Sequence, residues 1–147
     1  SLPNTAVLES GALKIETGKS AEGAFLPSYG KTEISFKIKL SVLSQGRIDI
    51  TDMHGKTAIS ILQTGNVLRY LDRKGGYAVV CDINTDDYTD ITITADPATG
   101  KYNLSVNGVT VLSEKPFSSQ IAELSRIKFS NNASNVFIDD LSVSSGM

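Results

Sequence analysis

Between residues 31 and 42 the chain alternates almost without a break. Ile34, Phe36, Ile38, Leu40 and Val42 fall on one side; Glu33, Ser35, Lys37, Lys39 and Ser41 fall on the other. Successive side chains of a strand point to opposite faces, so this division describes a strand with one buried and one wet face. A helix would space its apolar residues by three and four instead. The period of two recurs at Ile48 and Ile50, at Ile59 and Ile61, at Ile91, Ile93 and Ala95, and at Tyr102, Leu104 and Val106.

Turn chemistry separates these runs. Ser44-Gln45-Gly46, His54-Gly55, Thr64-Gly65-Asn66, Gly75-Gly76 and Asp96-Pro97-Ala98-Thr99-Gly100 are turn or loop sequences. Asn107-Gly108 between two apolar alternations is a hairpin signal, because both residues accept the positive φ of a tight turn. Further segments near 5–8, 12–16, 22–26, 77–81 and 124–130 bring the expectation to twelve or thirteen short strands. One helical turn or two is expected around Ser118 to Glu123. Many short strands spaced by turns predict an all-β, two-sheet antiparallel sandwich or barrel.

The chain has 147 residues, enough for one domain over residues 1–147. At 15.7 kDa, area scaling gives a folded surface of roughly 7,000 Å² against about 23,000 Å² unfolded, so a core can form without crosslinks. The single cysteine, Cys81, excludes an intrachain disulfide; it sits in the apolar run 77–81 and reads as a small hydrophobe. Fourteen basic residues against sixteen acidic ones give a net charge of −2, without the basic excess of a nucleic-acid binder. No apolar run approaches the length of a membrane-spanning helix. The chain begins Ser1-Leu2-Pro3, which we read as a module cut from a longer chain whose other domains would be its neighbours.

Two phrases carry a resemblance. One is Asp90 to Asp96 followed by Thr99-Gly100-Lys101-Tyr102-Asn103-Leu104-Ser105-Val106-Asn107-Gly108. The other is the closing Ile138-Asp139-Asp140-Leu141-Ser142-Val143. Together with Ala12 to Glu16 and Ile34 to Leu40 they resemble the concanavalin A/laminin G-like jelly rolls of secreted polysaccharide-acting proteins. The resemblance spans most of the chain. It implies two packed antiparallel sheets and a carbohydrate-binding or accessory module of a secreted or cell-surface bacterial protein. It also implies a structural Ca²⁺ held by Asp140 with an N-terminal oxygen group such as Glu9.

The residues do not support catalysis. Two carboxylates flanking a glycosidic bond at about 5–9 Å are needed for hydrolysis. Asp49 and Asp52 are expected on opposite sides of a pleat, and Asp139 and Asp140 are adjacent. A lyase assembled from Tyr70, Arg69 and Lys37 has no spacing to support it. A metal reading exists at Asp82-Ile83-Asn84-Thr85-Asp86-Asp87, where Asp82, Asn84 and Asp86 match the start of a Ca²⁺ loop. The sixth position is Asp87 rather than glycine and the twelfth is Ile93, so it is no EF-hand; a polar turn fits equally. His54 lies at a hairpin tip with no partner.

Sugar sites combine aromatic platforms with polar groups that fix hydroxyls. The chain has no tryptophan. Tyr70 and Tyr77 flank a cationic loop containing Arg73 and Lys74, and the wet strand faces add Arg69, Lys37 and Arg47. Arginine pairs well with carboxylates, so this set suits an acidic plant glycan. The alternative is a structural or protein-interaction domain, with these residues serving only as solvated strand faces.

Overall fold

The computed structural model describes residues 7–9, 12–15, 18, 20–40, 45–85, 87–131 and 136–145. Thirteen strands occupy most of them. They are β1 (Val7–Glu9), β2 (Ala12–Ile15), β3 (Ser20–Ser28), β4 (Thr32–Lys39), β5 (Gly46–Thr51), β6 (Thr57–Thr64) and β7 (Val67–Leu71). Then follow β8 (Tyr77–Asp82), β9 (Tyr88–Asp96), β10 (Lys101–Val106), β11 (Val109–Pro116), β12 (Leu124–Asn131) and β13 (Val136–Ser145). Seven form one sheet in the order β1-β2-β13-β4-β9-β10-β11, and six form the other in the order β3-β12-β5-β6-β7-β8. Every pairing is antiparallel.

The alternation read from sequence places the core. In β4, Ile34, Phe36 and Ile38 are buried, as are Ile91 and Ile93 of β9, Ile48 and Ile50 of β5, and Ile127 and Phe129 of β12. The rings of Phe36 and Phe129 meet edge to face at 5.1 Å, joining β4 of one sheet to β12 of the other. Asn107 and Gly108 have φ of 50° and 81° and close the β10–β11 hairpin, as their sequence predicts.

The helical turn expected over Ser118 to Glu123 is absent. This segment crosses between the sheets, and its polar groups are drawn to other elements. The Ser118 amide donates to the Ala58 carbonyl at 2.8 Å, and the Glu123 carboxylate accepts from the Met53 amide at 3.1 Å. Phe117, Ile121 and Leu124 anchor the segment in the core.

Candidate functional site

The outer face of the six-stranded sheet carries two rows of side chains that pairing brings level across the strands. In one, Ser20, Ser130, Arg47, Leu62, Arg69 and Val79 stand side by side. In the other, Glu22, Lys128 and Asp49 lead to Ser60, and Leu71 is level with Tyr77. Ile61 pairs with Tyr70, so Ser60 stands opposite Leu71 and completes the row. The shorter side chains of this row are covered by their neighbours: Asp49 is only 8% exposed and Ser60 only 1%. On the outer face of the seven-stranded sheet, Glu33, Lys37 and Asp90 are all exposed.

Tyr77 lies along this surface rather than standing on it. Its hydroxyl is 2.8 Å from Ser60 Oγ. The two residues belong to β8 and β6, two strand spacings or about 9.5 Å apart. A serine side chain is short, so the long axis of the phenol must run across β7 at Leu71. The result is a half-buried aromatic plate pinned at its far end, bordered by Arg69 and leading toward Lys128.

The charges around it differ in their freedom. Arg47 Nε donates to Asp49 Oδ2 at 2.9 Å, and Arg126 reaches Glu22 at 3.8 Å. Arg69 Nε donates to Thr64 Oγ1 at 3.1 Å, which orients the guanidinium without neutralising it. Among the described residues neither Arg69 nor Lys128 has a carboxylate partner. Asp49 and Glu22 are thus engaged by guanidinium groups, whereas Asp82, level with Val67 at the β8 edge of the same face, is exposed. Asp52, expected on the same strand as Asp49, lies beyond the end of β5. Its Oδ1 accepts the amides of His54 and Lys56, closing the turn.

The residues singled out from sequence therefore divide into three places. Tyr77, Arg69 and Arg47 share the sheet face. Tyr70 points the other way: it pairs with Ile61, packs against the core and meets Arg73 and Lys74 in a depression at the sandwich rim. Lys37 is on the opposite sheet, 3.8 Å from Asp140. Ser60, Asp49 and Lys128 were missed. The alternation Ile127-Lys128-Phe129 and Ile48-Asp49-Ile50 marks the last two as outward, but only strand pairing reveals that they share a row.

The calcium ligands fare differently. The Asp140 carboxylate faces the Lys37 ammonium, its amide donates to Asp139 Oδ1 at 2.9 Å, and its φ is +54° at a register irregularity of β13. Asp86 and the Glu9 side chain lie outside the described residues. Asp82 and Asn84 are exposed. Among the described residues no three His, Cys, Asp or Glu side chains gather in a metal-binding group. Cys81 is half-buried rather than buried, and its thiol pKa is raised, first by desolvation and then by Asp82, so the nucleophilic thiolate is disfavoured.

Two antiparallel sheets packed face to face with this strand order define a jelly-roll β-sandwich of the concanavalin A-like kind. No protein-family profile and no curated protein sequence matches the chain. Solved structures share its fold. A sialidase matches with a TM-score of 0.84 at 15% identity, over 95% of this chain and 16% of that one. Botulinum neurotoxin type C, described as entering cells through interaction with two ganglioside molecules, matches with a TM-score of 0.67 at 16% identity, over 97% and 42%. An alginate lyase of polysaccharide lyase family 7 matches with a TM-score of 0.68 at 15% identity, over 97% and 82%. This chain thus spans a small part of the sialidase and less than half of the toxin chain. Among the described residues no helix is long and apolar enough to cross a membrane.

Proposed function

We propose that the chain is a non-catalytic carbohydrate-binding module whose ligand lies along the outer face of the six-stranded sheet. The observation that carries this reading is Tyr77, half-buried along this face with its hydroxyl anchored on Ser60 and with Arg69, which has no carboxylate partner, on the neighbouring strand. Its ring supplies aromatic surface for sugar C–H groups, while Arg69, Lys128 and Ser130 offer donors to hydroxyls and carboxylates. Four cations, Arg47, Arg69, Arg126 and Lys128, stand against three carboxylates, Asp49, Glu22 and Asp82, on this face, and Arg69 and Lys128 have no carboxylate partner, which favours an acidic glycan of the plant polyuronate type. That a ganglioside-dependent toxin, a sialidase and an alginate lyase share the fold supports a glycan as the ligand class. The ion pairing of Asp49 and Glu22 supports binding rather than hydrolysis. The parent protein, in this reading, is a secreted or cell-surface bacterial polysaccharide-processing protein. A structural Ca²⁺ belongs to the proposal at the β8–β9 loop, where Asp82 and Asn84 offer oxygen donors. A rise in Tm on adding Ca²⁺, reversed by a chelator, supports that ion; an unchanged Tm removes it.

Affinity electrophoresis through gels containing polygalacturonate, alginate or a neutral glucan tests the main reading. Retardation by an acidic polymer, weakened in Tyr77→Ala, is expected. The second reading is a protein-interaction domain. It draws on β8, an edge strand whose Val79 is 60% exposed. Passage of the protein through every gel unretarded would move the assignment there.

A further inference from the structure

The β7–β8 turn sends its charges to the side of the hairpin away from Tyr77. There a depression of about 250 Å³ is lined by Tyr70, Asp72, Arg73, Lys74, Lys115 and Pro116. Three cations face one carboxylate in a chain whose net charge is −2. The carboxylate is occupied: Asp72 Oδ1 accepts the amides of Lys74 at 2.9 Å and Gly76 at 3.1 Å, which hold the turn closed. Two of the cations are positioned. Arg73 Nε donates to the Phe117 carbonyl at 3.0 Å, so its guanidinium is oriented by a neutral group and keeps its charge. Lys115 Nζ sits 5.4 Å from the centre of the Tyr70 ring. Three cations of the sheet faces do have such partners: Arg47 is paired with Asp49, Arg126 with Glu22 and Lys37 with Asp140. Among the described residues no carboxylate forms an ion pair with Arg73, Lys74 or Lys115.

Three cations against a single carboxylate that is turned to the backbone of its own turn, beside an aromatic wall and in a space the size of one sugar ring, fit an anionic ligand. We infer that this rim depression is a second glycan subsite, separate from the sheet face, that takes the carboxylate of an acidic sugar. Arg73 and Lys115 clamp the carboxylate and Tyr70 backs the ring; Lys74 adds field at the mouth. The inference rests on the carbohydrate-binding reading but not on the sheet face being a site.

The test is titration of the ¹⁵N-labelled chain, followed by amide shifts, with tetragalacturonate, its full methyl ester, and acetate at matched carboxylate concentration. Tetragalacturonate is expected to shift the amides of residues 72–76 and 115–117. The apparent Kd of those shifts should rise about tenfold in Arg73→Gln and in Lys115→Gln, as for loss of one charge-assisted contact, and rise further in about 0.5 M salt. The methyl ester should leave these amides unmoved. Both residues lie at the surface, and circular dichroism checks that the variants fold. Unmoved rim amides with tetragalacturonate, unchanged affinity in both variants, or equal shifts with the methyl ester would overturn the subsite. Equal binding of acetate would overturn its assignment to a sugar. Tyr77→Ala separates the two sites: it should abolish the shifts across β5 to β8 and leave those at the rim. Rim shifts without sheet-face shifts would remove the sheet-face site and keep this one.

Discussion

Tyr102 is 2% exposed, and its hydroxyl has no hydrogen-bond partner among the described residues. A hydroxyl buried in this way gives up water and gains nothing, at a cost of about 1–3 kcal/mol. Tyr102→Phe keeps the ring stacked on Phe117, at 6.4 Å between centres, and should raise the unfolding free energy by about 1 kcal/mol in urea titrations. The same residue makes the protein sensitive to alkali. Burial, and then the neighbouring Tyr70, push its pKa well above the ordinary 10.0. The unfolded chain therefore loses this proton first, so the stability tied to the neutral phenol is complete below that value and falls as pH rises beyond it. Cys81 acts with the same sign from its ordinary 9.0 upward. Tm measured against pH should drop above about pH 9–10 in the parent chain, and Tyr102→Phe should flatten the part that begins near 10. Backbone strain is also local. Glu114 has a φ of +50° at an exposed position of β11, its amide donating to Asn103 Oδ1 at 2.6 Å. Glu114→Gly should add about 0.5–1 kcal/mol, seen as a Tm rise of roughly 1–3 °C. Asn107 was legible as a positive-φ residue because asparagine before glycine favours that turn. Glu114 and Asp140 were not, because irregular pairing, rather than residue type, sets their backbone.

At the scale of the element, legibility followed how completely one face is buried. β4 reads directly from sequence because it has a wet side and a dry side along its whole length, and β12 does so from Ser125 onward. The β7–β8 hairpin did not. A register irregularity between Leu68 and Arg69 breaks the count, and the hairpin lies at the sheet edge, where burial on both faces is partial. Tyr70 and Tyr77 therefore looked like one pair across a loop, although β7 turns Tyr70 inward and β8 lays Tyr77 on the outer face. The segment over Ser118 to Glu123 is not helical for another reason: the Ser118 amide and hydroxyl bond to carbonyls of β6, a tertiary fact that no local pattern contains. The strands that did read clearly carry the cohesion between the sheets. Phe129 is 1% exposed and meets Phe36 across the sandwich. Phe129→Ala should cost about 3–5 kcal/mol from lost burial and the cavity left behind, whereas Phe129→Leu should cost less than half of that. Equal losses in the two variants on chemical unfolding would mean that volume at this position does not matter.

On the scale of the whole molecule, the order of strands in the chain is not their order in space. β12 is inserted between β3 and β5, and β13 between β2 and β4. Neither insertion is legible from alternation, which fixes the faces of a strand but not its neighbours, and so the sheet-face rows could not be assembled from sequence. Arg47, Arg69 and Tyr77 could be proposed separately; Lys128 joins them only because β12 lies beside β5. The same topology makes the fold depend on its late strands. β13 hydrogen-bonds to β2 through Val136 to Ile138 and to β4 from Phe137 to Ser145. It contributes Val136 and Ile138 to the core, each no more than 3% exposed. Without it, β4 would present a row of unpaired amides and carbonyls next to an open core, and β1 and β2 would lose their attachment to the sheet. Two fully buried aliphatic side chains are worth about 3–6 kcal/mol, before any ladder hydrogen bonds are counted, against the 5–15 kcal/mol by which domains are stable. A chain ending at residue 135 should therefore lack a cooperative thermal transition and show a collapsed ¹H–¹⁵N spectrum. Supplying residues 136–147 as a separate peptide should restore part of the dispersion, because that segment fills the gap between β2 and β4 and returns Val136 and Ile138 to the core. A truncated chain that unfolds cooperatively with dispersed amides would mean that the six-stranded sheet and the rest of the core hold together without this strand.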